Sequence, residues 1–274
     1  MSRKKITEIF PFLIPFRKSE KKFFFYTKMK FDGERYSETH LNNQLSFKLF
    51  EASSNMYNQQ TGFDMAYQEN KVHNLKLAAA KLDGMIIYPR ETFSLCRAIR
   101  KADKDVPYKN GLVLINGKWT AAYGGGMCQI SSLLFWLFLH SPLTIIERHG
   151  HGIKSFPCDF EDNIKGVDAA IYEGWLDLKV KNNTDSVFQI KIEFNGNYIT
   201  GRLFAQHNIG VSYRITNGNT IYYRKSGKIF EETDILRNVI SDTSGQSVCM
   251  ERLYRNKCEI GYELPINTLI HNNP

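Results

Sequence analysis

Gly124-Gly125-Gly126 stands directly before Met127-Cys128-Gln129 and the apolar positions Ile130, Leu133, Leu134, Trp136, Leu137 and Phe138. No other stretch of the chain restricts the fold as tightly. A helix that is apolar almost all round must be covered on every side, so this segment predicts a helix at the centre of a domain, ending near Ser141-Pro142. The glycines let the backbone turn tightly into it. The elements that must cover it are legible on both sides. Upstream, Glu69 to Asp83 has helical periodicity with Gly84 as its stop, and Met85-Ile86-Ile87-Tyr88 and Glu91–Leu95 read as extended pieces. Gly111–Ile115 and Lys118–Ala121 flank Asn116-Gly117, a strong hairpin signal. Downstream, Leu143–His149 reads as a strand. Runs at 175–182, 187–194, 198–206, 211–216 and 220–225 alternate in polarity between Asn182-Asn183, Asn195-Gly196-Asn197 and Asn217-Gly218-Asn219. The expected class is α+β: a Gly-rich turn into a buried central helix packed on strands, followed by an antiparallel β-rich C-terminal part. Three regions follow: a basic aromatic arm over 1–30, a core domain over 31–206 and a β-rich C-terminal extension over 207–274.

The charge is confined to one end. Residues 1–30 hold nine Lys/Arg against Glu8 and Glu20, a net +7 of the chain's +8, so the rest is almost neutral. Cations there flank two clusters, Ile9–Phe16 and Phe23–Tyr26. Bulky apolar groups among lysines suit an anionic membrane surface, and the competing expectation is that the aromatics pack on the domain. The clusters are too short to span a bilayer. Pro11 and Pro15 interrupt the first, and no small-residue cleavage site follows, so a secretory signal is not expected. A nucleic-acid partner is not expected either, because platforms for single strands are folded sheets. Five cysteines, at 96, 128, 158, 249 and 258, form no C-x-x-C pair. Reduced thiols and a cytoplasmic place, peripheral on the inner face of the membrane, are the expectation.

Cys128 opens the central helix, where free N–H groups and the helix dipole favour a thiolate. A helix N-terminus and a neighbouring imidazolium lower a cysteine pKa to about 3.5–7.5. His151, or failing it His149, is the candidate base, and Asp168 the group that orients it. Gln129 and the N–H groups of Gly124, Gly125 and Gly126 could hold an oxyanion, with Tyr123 beside them. Arg148 would pair with a substrate carboxylate or close its strand with an ion pair. A cysteine in a core helix also serves packing alone. The glycines match no phosphate-loop pattern. His149 and His151 lack companions at a zinc spacing, so neither metal nor cofactor is expected.

Tyr123–Ser131, Glu147–His151, Gly166–Ala170 and Asp177–Asn182, with Asn74 and Glu91–Ser94 upstream, resemble successive blocks of the VanW family, accessory proteins named from vancomycin B-type resistance clusters. The resemblance covers about residues 70–195, and Arg17 to Phe31 is similar to the short members encoded in such clusters. It implies glycopeptide resistance and the cell envelope as context. Pro89-Arg90-Glu91 departs from the family's usual Pro-Gly-Glu, and Leu95 stands where an aromatic is common. The order Cys, strand, His, Asp is also similar to transglutaminase-like cysteine enzymes. Two functions stay open: a Cys-dependent acyl-transfer or amidase enzyme acting on a peptidoglycan-precursor peptide, and a non-catalytic module that binds a cell-wall precursor or a resistance enzyme.

Overall fold

The computed structural model describes residues 10–58, 62–115, 118–154 and 164–272. The predicted Asn116-Gly117 turn and Cys158 lie outside them. Pro11–Leu13 form a 3₁₀ turn leading into α1 (Ile14–Phe31), whose second residue is Pro15. Proline is tolerated there because the first N–H groups of a helix have no intrahelical partner. The two prolines that read as interruptions therefore open a helix.

Among the described residues the chain forms four α-helices and three main sheets. α2 (Met65–Ala79) begins earlier than its periodicity suggests, because the Asp64 carboxylate accepts the Ala66 N–H and caps it. α3 (Leu95–Ala98) is a single turn capped by Ser94, and α4 (Met127–Leu139) is the predicted central helix. β1 (Arg35–Tyr36), β4 (Glu91–Ser94), β9 (Lys179–Lys181) and β7 (Thr144–Glu147) make one sheet in that order. β2 (Phe47–Asn55), β11 (Tyr198–Ala205), β10 (Phe188–Asn195) and β3 (Ile86–Ile87) make a second, antiparallel one. The third runs β15 (Ile270–Asn272), β12 (Val211–Lys225), β13 (Lys228–Ser241), β14 (Ser247–Ile260), β8 (Ile153–Lys154). β5 (Asn110–Ile115) and β6 (Lys118–Tyr123) pair as the expected hairpin.

α4 is covered on every side. Leu133 and Leu137 press on β11 where Gly201 leaves room, since a Cβ there would lie 2.9 Å from Leu137 Cδ1. Trp136 meets Phe50 of β2 edge-on at 6.2 Å, Phe138 meets Phe93 of β4 at 5.3 Å, and Phe135 meets Tyr254 of β14 at 6.0 Å. One helix thus joins three sheets. Each of these large side chains, once covered, contributes roughly 1.5–3 kcal/mol.

One expectation is corrected. Asn217-Gly218-Asn219 does not turn the chain: β12 runs straight through it, and its pairing with β13 shifts register between Asn217 and Thr220. The Asn217 side chain bridges the N–H and C=O of Lys165 instead of closing a local turn. The strands 228–241 and 247–260 were also hidden from period-two reading, because β13 buries Glu231 and Thr233 among apolar residues. Tyr222 donates to Glu231, and the Thr220 and Thr233 hydroxyls pair.

Candidate functional site

The turn into α4 is held by backbone packing. A Cβ on Gly125 would stand 2.2 Å from the Gly111 carbonyl oxygen, and Gly126, at φ +106°, would meet Lys71 Cγ at 2.2 Å. Only glycine allows that approach. The fully buried Asn74 of α2 locks it: its amide donates to the carbonyls of Lys109 and Gly125, and its oxygen accepts the Lys109 N–H. Gly126 then caps α4 with no side chain bound to the first N–H groups, so the positive end of the helix is left open at Cys128.

Cys128 is half-buried, with its sulfur 3.9 Å from the Ile171 carbonyl. Next to it lies His151. The Nδ1 of its ring meets Asp168 Oδ2 at 2.5 Å, the same oxygen accepts the His151 backbone N–H at 2.7 Å, and Cys128 is the ring's other side-chain partner. With Nδ1 committed to Asp168, Nε2 is the nitrogen left for sulfur. Burial disfavours charge on the ring, but Asp168 and Cys128 outweigh it and raise His151 to about 10. Burial would likewise raise Asp168, yet the hydrogen bond from His151 and the charge of Arg148 hold its carboxyl below the usual range. The three side chains form a line of sulfur, imidazolium and carboxylate.

The neighbours of this line are arranged otherwise than the sequence suggests. Arg148 is spent inside the protein: Nε donates to the Asp168 carbonyl at 2.7 Å, Nη2 to Asp168 Oδ1 at 2.8 Å and to the Gly166 carbonyl at 3.0 Å, and Nη1 to Asn256 Oδ1 at 2.9 Å. Its guanidinium also stacks on Tyr254 and Phe135. It holds the Asp168 loop and is not free for a substrate carboxylate. His149 bonds Glu147 Oε1 at 3.0 Å and not Asp168, in a cluster where Glu147 also accepts Lys179 and the Asp177 N–H. Gln129 donates from its amide to Ser54 Oγ and the Asn55 carbonyl of β2, which turns it from any oxyanion position. Tyr123 is exposed at the hairpin end and donates to Asp103. Gly124, Gly125 and Gly126 shape the turn.

Residues outside the first reading complete the setting. Ser132, one turn beyond Cys128, accepts the Ala169 N–H at 3.1 Å, and the Ala170 N–H donates to the His149 carbonyl at 2.7 Å. β8 pairs in parallel with the end of β14, Glu259 opposite Ile153, and so fixes the strand that follows His151. Tyr254 donates to the Gly166 carbonyl. Lys71 lies against Gly126, and burial lowers it to about 8. Its position seven residues before the helix-terminal Ala78-Ala79-Ala80 carried no signal of this. The other described thiols differ: burial pushes Cys96 well up and Cys258 up to about 12, while Cys249 is exposed on β14.

The sequence model of the family described as "VanW like protein" matches residues 70–204, a span that holds all three members of the line. The chain is 51% identical over 265 residues, 97% of its length and 96% of the relative's, to the Vancomycin B-type resistance protein VanW of Enterococcus faecalis. It is 27% identical over 137 residues, 50% of its length and 44% of the relative's, to the uncharacterized protein YoaR of Bacillus subtilis. No solved structure matches it.

Proposed function

We propose that this chain, which belongs to the VanW family, serves glycopeptide resistance as a cysteine-dependent acyl-transfer or amide-hydrolysing enzyme acting on the peptide of a cell-wall precursor. The role in resistance rests on its likeness to the Enterococcus relative. The chemistry rests on one observation: His151, hydrogen-bonded to Asp168, has Cys128 as its other side-chain neighbour in a half-buried site at an open helix N-terminus. Those are the parts of an activated nucleophile.

In this reading the Cys128 sulfur, as thiolate, attacks the carbonyl carbon of a substrate amide. The oxyanion that forms is met by the unpaired N–H groups at the start of α4. As the C–N bond breaks, His151 gives its Nε2 proton to the departing amine and a thioester remains on Cys128. An incoming water or amine then attacks the thioester, His151 takes up its proton, and the sulfur leaves as thiolate. Asp168 keeps Nδ1 protonated and the ring in place throughout, a role supported by the two hydrogen bonds its Oδ2 accepts from His151.

The test is incubation of the purified chain with peptidoglycan precursors, followed by mass spectrometry of both peptide and protein. Cleaved or transferred peptide, with an acyl adduct on Cys128 that Cys128→Ala abolishes, is expected. Unchanged product formation by Cys128→Ala or His151→Gln would overturn the reading. Tight precursor binding without turnover, retained in Cys128→Ser, would make the chain a binding module.

A further inference from the structure

α1 has two faces. The inner one is docked: Met29 is buried, the Tyr26 hydroxyl donates to Glu173 at 2.8 Å, Lys22 pairs with Glu173, and Lys21 sits 3.8 Å over the Trp175 ring. The outer one has no cover among the described residues. Phe12, in the 3₁₀ turn that leads into α1, and Phe16, Phe23 and Phe31 of α1 have 75%, 71%, 66% and 76% of their surface exposed. Their spacing of four, seven and eight residues forms one stripe along the helix. Beside it an open groove of about 490 Å³ lies between α1 and Trp175, lined by Arg17, Lys21 and Lys28 with Phe24, Phe25 and a single carboxylate, Glu20. Neither Arg17 nor Lys28 has an ion-pair partner among the described residues.

We infer that this face of α1 docks on an anionic phospholipid bilayer, the phenylalanines entering the acyl boundary while Arg17 and Lys28 meet lipid phosphates. Apolar stripe and unpaired cations lie side by side along one helix, docked on the domain through residues 21–29 and exposed over 14–20, the arrangement of an interfacial helix. The charge argues for lipid over a second copy: two such faces brought together would oppose their own cations. No described helix is long and apolar enough to cross the membrane, so the contact is with the surface. The inference is independent of the chemistry at Cys128. It does bear on it, because the segment from the Ile171 carbonyl that touches the Cys128 sulfur to the Trp175 ring under Lys21 spans only a few residues.

The full chain is to be sedimented with vesicles of phosphatidylcholine alone or containing phosphatidylglycerol, at low and physiological salt. Binding to the anionic vesicles only, weakened by salt, is expected. Combined Arg17→Glu and Lys28→Glu should lower the affinity at least about tenfold, near a surface where each cation counts about fivefold. Combined Phe16→Gln, Phe23→Gln and Phe31→Gln should abolish pelleting and leave the melting temperature unchanged, since these side chains are exposed. Equal binding to both vesicle types, or none to either, would overturn the inference on the unmodified chain. So would variants that bind like the parent, or a parental dimer that the phenylalanine substitutions make monomeric.

Discussion

Arg148→Ala separates a residue that builds the site from one that waits for substrate. The guanidinium makes four hydrogen bonds and is only 10% exposed, against 34% for the Asp168 side chain it pairs with. Breaking a buried ion pair from one side costs about 3–5 kcal/mol, because the remaining charge is left unpaired. Since Asp168 keeps partial contact with water, the expected loss here is about 2–4 kcal/mol. For a chain of this size that is a fall of roughly 5–15 °C in melting temperature, read by calorimetry on the free protein. Arg148→Lys should recover at most about half, because one ammonium cannot reach the Asp168, Gly166 and Asn256 oxygens together. The same variants should slow alkylation of Cys128, as the loop that presents Asp168 to His151 loosens. A melting temperature within about 1 °C of the parent, with only substrate affinity reduced, would refute this reasoning and return Arg148 to the substrate.

Three further outcomes follow from the same geometry. His151 is raised from its ordinary 6.5 to about 10 in the folded chain, so its contribution is complete below pH 6.5 and is lost as pH rises through 10. Denaturant unfolding should therefore show His151→Gln costing more at pH 6 than at pH 10, and a cost that grows with pH would contradict the Asp168 pairing. At neutral pH Cys128 should be alkylated faster than Cys96, Cys249 or Cys258, and His151→Gln should slow it; mass mapping of an iodoacetamide time course that finds exposed Cys249 reacting first would remove the thiolate argument. Arg90 stands at φ +69° in the turn closed by the Glu91 N–H on the Tyr88 carbonyl, where a side chain costs about 1–2 kcal/mol. Arg90→Gly should raise the melting temperature by about 2–4 °C, and a fall would show that the Arg90 side chain contributes more than its backbone strain costs.

Local pattern determined much of this protein. The apolar circumference of 130–138 demands central burial whatever surrounds it, and three glycines before Cys128 demand a tight entry, so helix, turn and thiol were legible from neighbours in the chain. The β5–β6 and β10–β11 hairpins were legible for the same reason. The order Cys128, His151, Asp168 could be written down from residue types and spacing. Period-two reading failed in β13, where Glu231 and Thr233 are buried with Tyr222 and Thr220 of β12 bonded to Glu231 Oε2 and the Thr233 hydroxyl, and at Asn217, whose amide is claimed by Lys165.

What only the tertiary structure decided is direction and allegiance. Gln129 follows Cys128 directly, yet consecutive helical residues diverge by about 100°, and the packing of α4 on β2 aims the glutamine at Ser54. His151 was the preferred base and His149 its fallback; the loop decided between them by placing His149 on Glu147 and His151 on Asp168. Arg148 became a brace because β14, more than a hundred residues away in the chain, delivers Asn256 and Tyr254 to it. α1, read as a basic arm, split into a docked and an open face only when Glu173 and Trp175 claimed Lys22, Tyr26 and Lys21. Propensity and periodicity act over a few residues, whereas hydrogen bonds and ion pairs form between whichever groups packing brings within 3 Å or so. Sequence therefore supplied the reactive groups, and the meeting of three sheets around one helix decided which of them touch.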